Sequence, residues 1–251
     1  MTFNSDNRRV GFWLMDNAGI SQDTVIYHYF DIEYLIQMLD NGSFHVSRKK
    51  VFEDPMEREL LKRKLFFAFS IVGDNAPCQD SSLIQERINS SRARFSLLSS
   101  TLTSCWAQGP NENILLWKYY TKPSFGVCIK TTIGKFVEAL NDDCYEMWCG
   151  KMLYENRGQT TDLNDAEWMK PPEFAGENEI RFYFKKNDLA PFELDKKTDD
   201  AFLGVDFRVL IDEIRLSPYM SKEEILIWQK YIAETYKINE NKIIKSKSEI
   251  L

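Results

Sequence analysis

Glu177 and Glu179, with Arg181 following at the same spacing, are the residues of this 251-residue chain whose types and placement best suit chemistry. They lie in Glu177-Asn178-Glu179-Ile180-Arg181-Phe182-Tyr183-Phe184, which reads as a β-strand. Side chains alternate across a strand, so the two carboxylates and the guanidinium would share one face. Asn178, Ile180, Phe182 and Phe184 would take the other, a mostly apolar face ready to pack. Paired carboxylates on a rigid strand suit a reaction in which positive charge develops on a sugar carbon. One carboxylate would stabilise the cation, and the other would orient or deprotonate the incoming nucleophile. Arg181 would pair with one of them and fix its rotamer. The plainer alternative is a half-buried strand whose charged face is solvated and self-paired.

Other residues are weighed in the same way. His28, one of only two histidines, sits between Tyr27 and Tyr29 on a strand-like run and is either a ligand-facing group or a packed histidine. Tyr119 and Tyr120 end a short aromatic helix, and their rings would serve either for stacking on a ligand or as core. Arg48 and Lys49 open a basic run that reads as a solvated helix face, or as a phosphate contact if it edges the His28 cleft. Asp54-Pro55 suggests a nuclease metal site with Glu179, but no Lys follows Glu179 two residues on, and N-capping already accounts for Asp54, Pro55 and Glu57. The five cysteines are odd in number and scattered, so free thiols are expected rather than a disulfide framework or a zinc site.

The elements that must position these groups follow from periodicity. Strands are expected at 25–30, 43–47, 102–106, 125–130, 145–154, 177–184, 209–216 and 242–246. Helices are expected after Asp31, from Asp54 to about Ser70, at 83–98, 113–120, 133–140, and after the Ser221 capping box. Residues 1–24 read as a polar lead-in with a short helix around Trp13, and 25–251 as a single globular domain. Strands and helices mix without strict alternation, so the expected class is α+β, a mixed, mostly antiparallel sheet with flanking helices. An apolar fraction of 43%, a charged fraction of 28%, 17 Phe, 11 Tyr and 6 Trp exclude a disordered chain. A net charge of −6 gives no global attraction to nucleic acid or anionic membranes. The start is polar and no run reaches the roughly 20 apolar residues of a membrane helix, so a cytoplasmic protein without a membrane partner is expected.

Several segments together resemble a bacterial family known as domain of unknown function 2971. They are Ile26-Tyr27-His28-Tyr29, Phe52-Glu53-Asp54-Pro55-Met56-Glu57, Leu116-Trp117-Lys118-Tyr119-Tyr120 with Phe125-Gly126-Val127-Cys128-Ile129, Glu177-x-Glu179-x-Arg181, and the tail from Ile211. The family usually has Asn where Glu53 stands and His where Tyr119 stands. A second set resembles ADP-ribosyltransferases, which carry His or Arg on a first strand, Tyr or Ser in the middle and Glu-x-Glu late. Here those are His28, Tyr119 or Tyr120, and Glu177-x-Glu179. That resemblance implies split sheets, NAD as the substrate, catalytic Glu179 and Glu177, and NAD contacts from His28, Tyr119, Tyr120, Arg48 and Arg181. It also implies a protein or nucleic-acid acceptor, or hydrolysis of NAD, in a bacterial toxin or anti-phage effector. The alternative from another class is a non-catalytic module binding a nucleotide or a protein.

Overall fold

Alternation along the strands builds the core. Ile26, Trp106, Ile180, Phe182 and Phe184, from three different strands, all join one buried cluster. The computed structural model describes residues 3–5, 11–15, 18–48, 102–141, 145–155, 168–186 and 201–248. Its strands are β1 (Phe3–Ser5), β2 (Phe12–Met15), β3 (Val25–Asp31), β4 (Ser43–Arg48), β5 (Leu102–Gln108), β6 (Gly126–Thr132) and β7 (Tyr145–Lys151). These are followed by β8 (Leu153–Tyr154), β9 (Met169–Lys170), β10 (Glu179–Lys186), β11 (Ala201–Gly204), β12 (Glu213–Leu216) and β13 (Ile243–Lys245). The main sheet runs β1-β2-β7-β10-β5-β3-β6-β12-β13, with β4 on β5 and β11 on β4. Within it β2–β7 and β12–β13 are parallel and the other pairs antiparallel. Helices α1 (Ile32–Asn41), α2 (Ile114–Tyr120), α3 (Ile133–Ala139), α4 (Phe207–Leu210) and α5 (Lys222–Tyr236) flank the sheet. The fold is α+β, a mixed and mostly antiparallel sheet with flanking helices.

Phe136 of α3 is the hub of the core, with ring centroids 4.9 Å from Trp106, 4.7 Å from Phe182 and 5.3 Å from Phe44. Truncating such a buried ring costs about 3–5 kcal/mol. This packing fixes β10 and β5 from below and leaves their opposite face to carry the polar groups.

One edge of β5 is shared between two partners. Its end pairs with β3 (Ala107 with Tyr27, Gln108 with Ile26), and its beginning pairs with β4 (Thr103 with Ser47, Leu102 with Arg48). Between those contacts β3 and β4 diverge, and the His28 ring bridges the gap, with Nδ1 2.9 Å from the Cys105 carbonyl oxygen. The sheet therefore splits beside residues 104–106.

Caps are where the sequence reads most directly. Thr132 accepts the Lys135 amide, Ser221 and Glu224 form a reciprocal capping box, and Gly42 ends α1 in the left-handed region (φ 59°). Four expectations are corrected. Phe12–Met15 is a strand, not a helix, because Phe12 is wholly buried on β7. The run 145–154 divides into β7 and β8 around buried Met152. Val209 and Leu210 belong to α4, capped by Asp206, so the strand there starts only at Glu213. The acidic strand starts at Glu179: Glu177 ends a 3-10 turn (Pro172–Glu177), and Asn178 turns the chain in the left-handed region (φ 45°). The expected helices at 54–70 and 83–98 lie outside the described residues, together with Asp54, Pro55 and Glu57.

Candidate active site

Glu179 and Arg181 face away from the core on β10 yet are almost wholly buried, at 4% and 1% exposure. The cover is the segment 168–178. It is laid down by Trp168, which packs edge-on to Tyr183 (4.7 Å, 89°). Gly150 of β7 makes that approach possible, since a side chain there would come within 2.6 Å of the Trp168 ring. Two residues on, Lys170 is held by the pairing of β9 with β8. Asn178 then clamps the turn to β5, donating from Nδ2 to the Gln108 carbonyl at 2.6 Å, while the Gln108 amide donates to the Asn178 carbonyl at 2.8 Å. Asn113, the N-cap of α2, donates to the Gly176 carbonyl at 2.7 Å and so ties α2 to the same turn.

These ties bring four charges together. Arg181 Nε donates to Glu179 Oε1 at 2.6 Å, and Lys170 Nζ stands 2.6 Å from Glu179 Oε2. The same ammonium donates to Glu177 Oε2 at 2.7 Å, and the Tyr120 hydroxyl donates to Glu177 Oε1 at 3.0 Å. Tyr154 fixes the backbone by accepting the Glu179 amide at 2.7 Å. Burial by itself would raise the Glu179 pKa, but the Arg181 and Lys170 charges outweigh it and hold the carboxyl at about 2. Burial likewise opposes a charged Lys170, and the Glu179 and Glu177 carboxylates more than offset it, so its pKa is raised. The Cys105 thiol, against Glu179, is pushed well up by burial and by that carboxylate. Burial lowers the His28 pKa to about 4 despite its bond to the Cys105 carbonyl, so the imidazole is neutral at pH 7.

A cavity of about 330 Å³ opens onto this cluster, lined by His28, Tyr120, Glu177, Glu179 and Arg181 among others. Five of the residues picked from the sequence thus meet in one place. His28 is among the lining residues, while its ring packs among Phe30, Phe44 and Trp106. Both His28 and Glu179 touch Cys105, one at the carbonyl and the other at the thiol. Tyr119 is not brought in: it is 73% exposed on α2, where one residue of helix turns a side chain about 100° from its neighbour. Arg48 ends β4 opposite Leu102, and its side chain lies outside the described part of the protein. Sequence reasoning missed Lys170, Phe174 and Cys105, which also line the cavity. Lys170 precedes Pro171-Pro172 in a stretch with no periodicity, so only a lone cation beside a two-proline break marked it.

The chain is similar in structure to DarT of Thermus sp. 2.9 in complex with NAD+. The identity is 11%, the TM-score 0.41, and the match covers 91% of this chain and 98% of that one. A likeness at that score carries no argument about activity. No family model and no curated protein matches the chain, so membership of the domain of unknown function 2971 family is not shown.

Chemically, the cavity offers a carboxylate fixed in the ionised state, a second and more exposed carboxylate, and aromatic walls from Tyr120 and Phe174. The volume is at the small end of ligand pockets, about 300–1,000 Å³, enough for one ring and a sugar rather than a whole dinucleotide.

Proposed function

We propose that this protein is an ADP-ribosyltransferase-like enzyme that uses NAD as substrate, transferring ADP-ribose to a macromolecular acceptor, protein or nucleic acid, or to water. The observation that carries this reading is the meeting of His28, Tyr120, Glu177 and Glu179 on one cavity, beside the split where β3 and β4 part along β5. The resemblance picked these residues, in this order, from distant parts of the chain.

In this reading the nicotinamide end enters the cavity beside Tyr120 and Phe174. The bond between the ribose carbon and nicotinamide nitrogen breaks, and its electron pair leaves with nicotinamide. Glu179 faces the cation that develops on the sugar. Each carboxylate oxygen has two lone-pair positions, so the contacts with Arg181 and Lys170 leave room for a ribose hydroxyl to donate as well. The acceptor oxygen or nitrogen then bonds to the same carbon and gives its proton to Glu177. Neutral His28, in the wall of the cavity, is assigned the contact with a ribose or diphosphate oxygen. A fixed charge in such a place is worth about 3–4 kcal/mol of barrier.

We place the protein in the bacterial cytoplasm as a toxin or anti-phage effector, by analogy with transferases of this kind. One observation favours a second reading: both Glu179 oxygens already hold a cation, as in a site built to bind rather than react. Purified protein incubated with NAD and bacterial lysate separates the two. Release of nicotinamide, lost in Glu179→Gln, supports the enzyme, and no release supports a non-catalytic binding module.

A further inference from the structure

The Lys170 side chain touches both Glu177 and Glu179, at 2.7 and 2.6 Å. It is 10% exposed in its side chain, its ammonium lies 5.5 Å from the Phe174 ring centroid, and it enters from a different segment than the strand it serves. We propose that Lys170 is a positioning residue that binds the two carboxylates into one unit, keeping the nucleophile-facing Glu177 in register with the sugar-facing Glu179. This inference rests on the transferase reading and extends it to a residue that neither resemblance contains.

The physical need is plain. A buried and a half-buried carboxylate this close repel, and without a cation between them one would take up a proton or swing away. Arg181 bonds Glu179 through Nε and Tyr183 through Nη1, and the Tyr120 hydroxyl bonds Glu177. Lys170 spans the two. Among the described residues, the groups facing Glu179 are Arg181 on its own strand, Lys170 and Glu177 on the covering segment, the Cys105 thiol on β5 and the Tyr120 hydroxyl on α2, with Tyr154 on its amide. Removing Lys170 therefore takes an ammonium from each of the two carboxylates.

Lys170→Met is expected to lower kcat for transfer at least about tenfold with KM for NAD little changed, and to move the acid limb of the kcat profile upward. Lys170→Arg, which keeps the charge, is expected to restore the wild-type limb. An unchanged limb and kcat in folded Lys170→Met would overturn the proposal. Should Lys170→Met not fold, Lys170→Gln reads the same limb. A substrate-free readout separates this proposal from the transferase reading. In protein carrying carboxyl-labelled glutamate, NMR titration of Glu179 should move upward in Lys170→Met or Lys170→Gln. That shift would stand even if the wild type released no nicotinamide, in which case the transferase reading alone fails. A Glu179 titration indifferent to residue 170 sinks the positioning role.

Discussion

Acid should weaken this fold first at His28. Its ring is packed against Phe30, Phe44 and Trp106, and burial depresses its pKa from 6.5 to about 4. The unfolded chain therefore binds a proton near pH 6.5 that the folded chain refuses until about pH 4. The unfolded state holds more protons across that window, so stability is full above it and falls as the pH drops. A depression of about 2.5 pH units corresponds to about 3.4 kcal/mol at 1.36 kcal/mol per unit. Roughly 3 kcal/mol of it is lost by pH 4, an upper bound because His28 is half-buried rather than fully enclosed. Glu179 acts lower. Its folded pKa of about 2 lies below the ordinary 4.5, so its contribution is present above pH 4.5 and lost as the pH falls towards 2. The test is urea unfolding of wild type and His28→Gln at pH 7, 5.5 and 4, since glutamine keeps an N–H for the Cys105 carbonyl without titrating. Wild type should lose about 2–3 kcal/mol more than the variant between pH 7 and 4. Parallel losses, within about 0.5 kcal/mol, would mean that His28 is charged in the fold or open to water, and the neutral-imidazole role would fall with it.

Other outcomes follow from the same geometry. Glu179→Gln should cut nicotinamide release at least about 100-fold with little change in NAD affinity, as removal of a transition-state contact does. It should also cost stability on the scale of a broken buried ion pair, up to about 3–5 kcal/mol, so activity is to be read on protein shown folded by circular dichroism. Glu177→Gln should lower transfer to the acceptor more than hydrolysis of NAD, read as the ratio of modified acceptor to free ADP-ribose. Tyr120→Ala should weaken NAD binding or turnover while Tyr119→Ala leaves both unchanged, because only the first ring lines the cavity.

How far the sequence could be read depended on whether local or tertiary contacts decided each feature. Cap chemistry is local, so Thr132, Ser221 with Glu224, and Gly42 marked their helix ends correctly. Asp31 shows the limit. It precedes α1 as expected, but its carboxylate takes the Lys122 amide at 2.7 Å instead of an N-terminal amide of its own helix. Alternation found the buried face of β10, and the order of polar residues found five of the cavity's lining groups. It could not show that Glu177 leaves the strand, because the left-handed turn at Asn178 is held by Gln108, seventy residues away. Nor could it find Lys170, whose place is set by Trp168 settling over Gly150. Tyr119 and Tyr120 were equivalent in sequence, and only the helix phase separates them.

The depth of the acidic cluster argues against the plain charge ladder that the strand pattern also allowed. A solvated ladder needs no cover, and each cross-strand pair adds only about 0.2–1 kcal/mol. Here the pair is roofed by the 168–178 segment, which adds a third charge, Lys170, from above. Burying such ions gains little for the fold, since apolar residues of similar volume often serve as well or better. That apolar solution is present on the same face two residues further along the strand. Tyr183 packs there with Met15, Met152 and Trp168. The chain thus closes this face with apolar packing beyond Arg181 and switches to ions where the cavity opens. Stability does not call for that switch, whereas a site that needs a carboxylate held ionised out of bulk water does.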